Sequence, residues 1–266
     1  MKKIMRYAAL GFLGILAASS WAWAEPIVQV SEQKAQYRDK ADGTVYLTTS
    51  FCKAAVENAD KYPSLSAAVE SGYNEIRENY VKQRVEDNGP GCQEMVKRRV
   101  KDNTAYAGEL QEKLTVCRAD DIIVSLQCRG FEFYGGAHPM SFALGYNFDA
   151  STGRELKLSD AVKDRRAFSD AAVAVLRSEF AAREADFTDE IKNQLEEYLK
   201  LDADGKQPVA WTMDGEGVTL YFGAYTFGPY ALGAFDLKIK FDDGRQMFVD
   251  KYVPERKCNC FKRSSE

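Results

Sequence analysis

One histidine, His138, six cysteines and 40 acidic side chains define the reactive chemistry open to this sequence. A Ser-His-Asp or Cys-His arrangement must use His138, and a histidine-based metal site needs a second imidazole. No G-x-S-x-G, H-E-x-x-H or phosphate-binding glycine loop occurs. Two carboxylates alone can hydrolyse a glycoside, so a cell-wall hydrolase remains the alternative reading, but so many acids hide any such pair. No catalytic residue, cofactor or metal is assigned, and the leading class is a binding protein.

The cysteines are Cys52, Cys92, Cys117, Cys128, Cys258 and Cys260. An even count in an exported chain favours disulfides, with about 15 full pairings open. The loop from Cys258 to Cys260 is too short to close comfortably, so both are expected to reach distant partners. Export is expected from the N-terminus. Lys2, Lys3 and Arg6 precede an apolar run from Tyr7, and Ala22-Trp23-Ala24 places small residues where a signal peptidase reads them, giving a signal peptide over 1–24. The expected location is periplasmic or secreted, with no membrane span after cleavage. Loss of residues 1–24 removes three cations and no acid, taking the net charge from −4 to about −7. That balance argues against nucleic acid and suits a cationic partner.

Two segments combine aromatic rings with backbone punctuation. Tyr134-Gly135-Gly136-Ala137-His138-Pro139 pairs two glycines, which permit unusual backbone angles, with a proline that holds His138 extended. Tyr225-Thr226-Phe227-Gly228-Pro229-Tyr230-Ala231-Leu232-Gly233 is an aromatic loop stiffened by proline. Rigid aromatics give contact area at little entropic cost, as a binding surface requires. A structural role, with the rings folded into the core, is the competing reading for both.

Elements must hold these loops. Residues 25–42 are polar and read as a loosely held arm, and 43–51 alternate as a strand. From Pro63, the residues Leu65, Val69, Tyr73, Ile76, Tyr80 and Val85 share one helical face, and Asn88-Gly89-Pro90-Gly91 is expected to break that helix. A hairpin follows around 114–127, then a strand over 142–148 and a turn at Asp149–Gly153. Phe168, Ala172, Val175, Leu176 and Phe180 form one helical stripe, and Phe187, Ile191, Leu195 and Leu199 another. Asp202-Ala203-Asp204-Gly205 lacks the acidic spacing of a calcium loop and reads as a turn. Strands are expected over 210–213, 218–224, 232–241 and 246–252. The sum is an α+β fold, a mostly antiparallel sheet covered by helices and disulfide-bonded.

The two loops, with Asn147-Phe148-Asp149, Thr152-Gly153 and Leu156-Lys157-Leu158-Ser159-Asp160, resemble a bacterial extracytoplasmic domain family. It is known from the lysozyme-sensing anti-sigma factor RsiV and the non-catalytic region of certain peptidoglycan deacetylases. The resemblance covers about residues 130–245. Residues 43–128 are only loosely similar to the segment preceding that domain, best at Tyr62-Pro63 and Asn74 to Ile76. It implies an N-terminal subdomain over 25–130, a C-terminal domain over 131–266, and a domain that binds, in one case lysozyme. Phe227, Pro229 and Tyr230 are then the contact residues, while Tyr134, Gly135, Gly136, His138 and Pro139 support the fold. The chain departs from the family in lacking a sigma-factor-binding segment, a retained transmembrane helix and a deacetylase domain. The expected function is an exported cell-envelope binding protein recognising lysozyme or a peptidoglycan fragment.

Overall fold

Strand β2 (Val45–Val56) turns Cys52, Ala54 and Val56 inward, and β3 (Gly108–Ala119) does the same with Leu110, Glu112 and Leu114, the period of two that a half-buried sheet demands. These are central strands of a five-stranded sheet in a computed structural model describing residues 25–100 and 107–255. The expected signal segment, Cys258 and Cys260 lie outside the described residues.

The sheet order is β1 (Val28–Arg38), β2, β3, β4 (Ile123–Phe133), β5 (Met140–Asp149). All neighbours are antiparallel except β2 and β3, which pair in parallel from Leu47 opposite Gly108. The long crossover between those two strands, α1 (Pro63–Val69) and α2 (Glu75–Val100), is what a parallel pairing requires. A π-turn over Glu70–Asn74 joins the helices. Beyond Ser50 the pairing with β3 ends, and the Asn74 amide takes over, accepting from Ala54 N at 2.9 Å and donating to Ala54 O at 2.8 Å. Leu65, Val69 and Tyr73 pack on Val124, Leu126, Tyr146 and Phe148 to form the first core.

The second core lies between helices α4 (Arg165–Ala182) and α5 (Asp189–Ala203) and a three-stranded antiparallel sheet of β6 (Ala210–Met213), β7 (Gly217–Phe222) and β8 (Phe235–Lys240). Both helical stripes read from the sequence face it, with Phe168, Ala172, Leu176, Phe180 and Leu195 buried. Asp164 and Thr188 cap the two helices, accepting from Ala167 N and Ile191 N. A single-turn helix, α3 (Leu158–Ala161), leads into them. The two sheets meet where Gly145 on β5 approaches β6 so closely that an added Cβ would stand 1.7 Å from Trp211 O. Asn147 Nδ2 donates to that same carbonyl at 2.8 Å. The fold is thus mixed α+β, with two sheets rather than one, and the boundary expected between 130 and 131 falls inside β4.

Four expectations change. Residues 28–38 form a strand: without an apolar face it takes the sheet edge, held by main-chain bonds to β2. The helix does not break at Pro90, which is exposed on α2, so the carbonyl freed by its missing N–H faces water. Residues 245–252 contain two 3-10 turns, Arg245–Met247 and Asp250–Tyr252, bridging to Val162 through Phe248 rather than forming a strand. Finally, no disulfide forms among the described residues, where Cys52, Cys92, Cys117 and Cys128 are unpaired. Cys52 on β2 and Cys128 on β4 flank β3, and two strand spacings, about 9.6 Å, exceed the Cα separation a disulfide spans.

Candidate functional site

The β4–β5 connection carries Tyr134–Pro139, and the β7–β8 connection carries Tyr225–Tyr230. Arg129 on β4 pairs with Asp236 on β8 and lies over the Tyr221 ring, 5.1 Å from its centroid, so the two connections emerge side by side. Gly135 and Gly136 have φ of 106° and 110°, and an added Cβ at Gly135 would stand 2.8 Å from Met95 Sδ, which explains the paired glycines.

The loops close on each other through rings. His138 stacks on Tyr230 with centroids 3.6 Å apart and planes inclined by 19°. Its Nε2 is 3.1 Å from Tyr225 Oη, and its Nδ1 is 3.3 Å from Pro139 O. A carbonyl only accepts, so this contact places a hydrogen on Nδ1. Tyr230 Oη also donates to Pro139 O, at 2.9 Å, and the two tyrosine rings lie 5.5 Å apart. Tyr225 holds φ of 70°, a left-handed conformation that costs a side-chain-bearing residue about 1 kcal/mol or more. It is 54% exposed, and Pro139, Met140 and Pro229 are exposed beside it.

Among the expected contact residues, Pro229 and Tyr230 reach this surface and Phe227 does not. Phe227 is 3% exposed, packed on Tyr198, Phe222 and Phe235, so it anchors the loop from beneath. Gln194 on α5 adds a bond to Thr226 O at 2.7 Å. Tyr225, named in the loop but not singled out, takes the exposed place; its positive φ carries no mark in the sequence because most such residues are glycine or asparagine. His138 belongs to the surface as much as to the fold.

Tyr134 points the other way, into a polar seam behind the patch. Burial, and then the Glu132 carboxylate, push its hydroxyl pKa well up. Glu132 accepts from Tyr80 Oη and pairs with Arg84 at 3.2 Å. Deeper, Arg77 on α2 pairs with Glu112 on β3, both side chains almost wholly buried. The guanidinium lies 4.3 Å from the Tyr80 centroid and 5.4 Å from that of Phe142, and Cys128 Sγ donates to Glu112 at 3.6 Å. Burial opposes the Arg77 charge, but the bond to Glu112 outweighs it and the pKa rises. The helical stripe therefore runs Tyr73, Arg77, Tyr80, Arg84, while Ile76 faces solvent. A period of 3.6 includes Arg77; reading only apolar side chains passes over it.

Among the described residues, no three His, Cys, Asp or Glu side chains cluster as a metal site. A cleft of about 270 Å³ between β5, the segment before α3 and β6 places Glu155 and Asp202 on one wall system with Lys157 and Trp211. Burial raises the Asp202 pKa, opposed by the bond its carboxylate accepts from Val209 N at 2.8 Å.

Residues 162–242 match the sequence model of DUF3298, a protein family of unknown function. This segment is similar to that family. It comprises α4, α5 and the three-stranded sheet, and so supplies Tyr225, Phe227, Pro229 and Tyr230, whereas His138 and Pro139 come from the preceding sheet. The structure resembles that of a DUF3298 family protein from Pseudomonas aeruginosa PAO1, with TM-score 0.58 and 17% identity over 87% of this chain and 98% of that one. It also resembles a DUF3298 family member from Bacteroides fragilis NCTC 9343, with TM-score 0.55 and 18% identity over 84% and 94%. At that identity the likeness establishes the fold. Comparison with curated proteins gives no match. The patch thus straddles the segment similar to DUF3298 and the five-stranded sheet, and neither part alone completes it.

Proposed function

We propose that this is an exported cell-envelope binding protein whose patch of His138, Tyr225 and Tyr230, rimmed by Pro139 and Pro229, recognises lysozyme or a peptidoglycan fragment. The observation that carries the reading is the His138–Tyr230 stack, which fixes two half-buried rings beside the exposed Tyr225 before any partner arrives. Pre-organised aromatics with one apolar face and one polar tip are the commonest energetic anchors of protein interfaces, and they also stack on sugar rings. The signal-like N-terminus, a net charge of about −7 after its removal and the resemblance to the lysozyme-sensing family support an encounter with a cationic envelope protein.

Calorimetric titration of the exported protein with a c-type lysozyme tests this. Expected is a one-to-one complex that weakens with salt and loses about thirtyfold or more in affinity on Tyr230→Ala, about 2 kcal/mol for a central aromatic anchor. Absence of heat at low and physiological salt removes lysozyme and directs the same titration to soluble peptidoglycan fragments. A hydrolase is the second reading, favoured by Glu155 and Asp202 lining one cleft. Release of reducing sugar from purified peptidoglycan, abolished by Asp202→Asn, would replace the binding reading.

A further inference from the structure

Strand β1 ends the five-stranded sheet, and nearly every side chain from Gln29 to Gln36 is exposed, on both faces. An edge so open is a template for another strand. Ile27 O accepts from Glu57 N at 2.9 Å, so Ile27 and, by alternation, Gln29, Ser31, Gln33 and Ala35 direct their main-chain groups at β2. Val28, Val30, Glu32, Lys34 and Gln36 direct theirs outward.

We infer that a second copy of this chain pairs there, antiparallel, about a two-fold axis at Gln33. The charges select this register. An antiparallel pair matches outward residues with outward residues, which confines a two-fold axis at mid-strand to Glu32, Gln33 or Lys34. An axis at Glu32 sets that carboxylate against itself, and one at Lys34 does the same with its ammonium. An axis at Gln33 sets Glu32 opposite Lys34 twice, Val30 opposite Gln36, and uses the whole strand. Glu32 and Lys34 already share one face, 2.9 Å apart, and Ser50 Oγ holds Glu32 at 2.5 Å, so the groups stand ready to exchange partners. Ile27 and Val30, 51% and 41% exposed, become covered. The interface is isologous and joins two five-stranded sheets into one of ten strands.

Sedimentation velocity of the exported protein over a wide concentration range tests this, beside a cysteine cross-link. Expected is a dimer that Lys34→Glu converts to monomer, by opposing two carboxylates, and that the charge exchange Glu32→Lys with Lys34→Glu restores. Gln33→Cys is expected to give a covalent dimer on oxidation, absent from the parent protein, because the residue on the axis faces its own copy about 4.5 Å away between Cα atoms. A parent protein that stays monomeric at all concentrations overturns the inference. So does a dimer indifferent to Lys34→Glu and without the Gln33→Cys link.

Discussion

The imidazole of His138 and the phenol of Tyr230 lie face to face, 3.6 Å between centroids, and this contact joins the five-stranded sheet to the segment similar to DUF3298 at the protein surface. Tyr230 also donates to the carbonyl next to His138 in sequence, so ring and backbone hold the same geometry. Replacing His138 with Ala is expected to lower stability by about 1 kcal/mol, the scale of an aromatic pair. The larger effect is expected on the proposed lysozyme binding, because Tyr225 and Tyr230 lose the ring that both contact. Urea denaturation with lysozyme titration on one preparation separates the two losses.

Arg77 and Glu112 make the opposite case, a charged pair almost wholly removed from solvent. Arg77→Met leaves a buried carboxylate without its cation and is expected to cost about 3–5 kcal/mol. Adding Glu112→Leu removes the stranded charge and is expected to recover most of that loss. A double-mutant cycle in urea checks this; a double variant as unstable as the single one would mean the pair is needed for packing rather than for mutual neutralisation.

How much of this was legible in the sequence differs by element. The stripes ending in Phe180 and Leu199, the turn at Gly153 and the central strands follow from period and punctuation, and each is local. Strand β1 was hidden because an edge strand exposed on both faces needs no apolar alternation, only a neighbour's main chain. Helix α2 runs through Asn88-Gly89-Pro90-Gly91 because Cys92 and Val96 are buried beyond the interruption, and burial there outweighs poor local propensity. The two loops of the patch could be named, but not their meeting: residues on separate sheets come together only through packing such as Gly145 against Trp211, which a single sequence does not encode at any fixed spacing.

Cys52, Cys92 and Cys128 are buried thiols, and burial raises each pKa, that of Cys128 to about 12 with Glu112 adding to it. The thiolate is the reactive species, so these three are expected to resist alkylation in the native protein at pH 8 and to react on unfolding. Mass spectrometry of iodoacetamide-treated protein, native against denatured, reads this directly. Failure of a site to react even in denaturant without reductant would show it oxidised.

Asp149 is expected to contribute to acid sensitivity. It accepts from the backbone and hydroxyls of Ser151 and Thr152 and from Lys251. Burial alone would raise its pKa, but the bonds from Lys251, Ser151 and Thr152 outweigh burial and hold it far below the usual carboxylate range. A depressed folded pKa means that the unfolded chain binds the proton first, so this stabilisation is complete above about pH 4 and drains away as pH falls below it. Asp149→Asn is expected to be less stable at pH 7 and to show a flatter decline between about pH 4 and 2, measured by thermal denaturation across that range. Equal slopes for the two proteins would place the acid sensitivity elsewhere.

Tyr225 carries its strain for a purpose if the patch is the binding surface. Its φ of 70° is one a glycine adopts without cost, and the side chain gives the fold only an exposed hydroxyl bond and ring contacts at the surface. Tyr225→Gly is therefore expected to change stability by no more than about 1 kcal/mol, since relief of the left-handed strain offsets most of the cost of losing one exposed bond and the ring contacts and of the added freedom of the unfolded chain. Lysozyme affinity is expected to fall at least tenfold in the same variant. Near-parental stability with loss of binding is the signature of a conformation held for recognition. A variant less stable than the parent by more than about 2 kcal/mol would instead assign Tyr225 to the fold, and unchanged affinity would take it out of the contact surface.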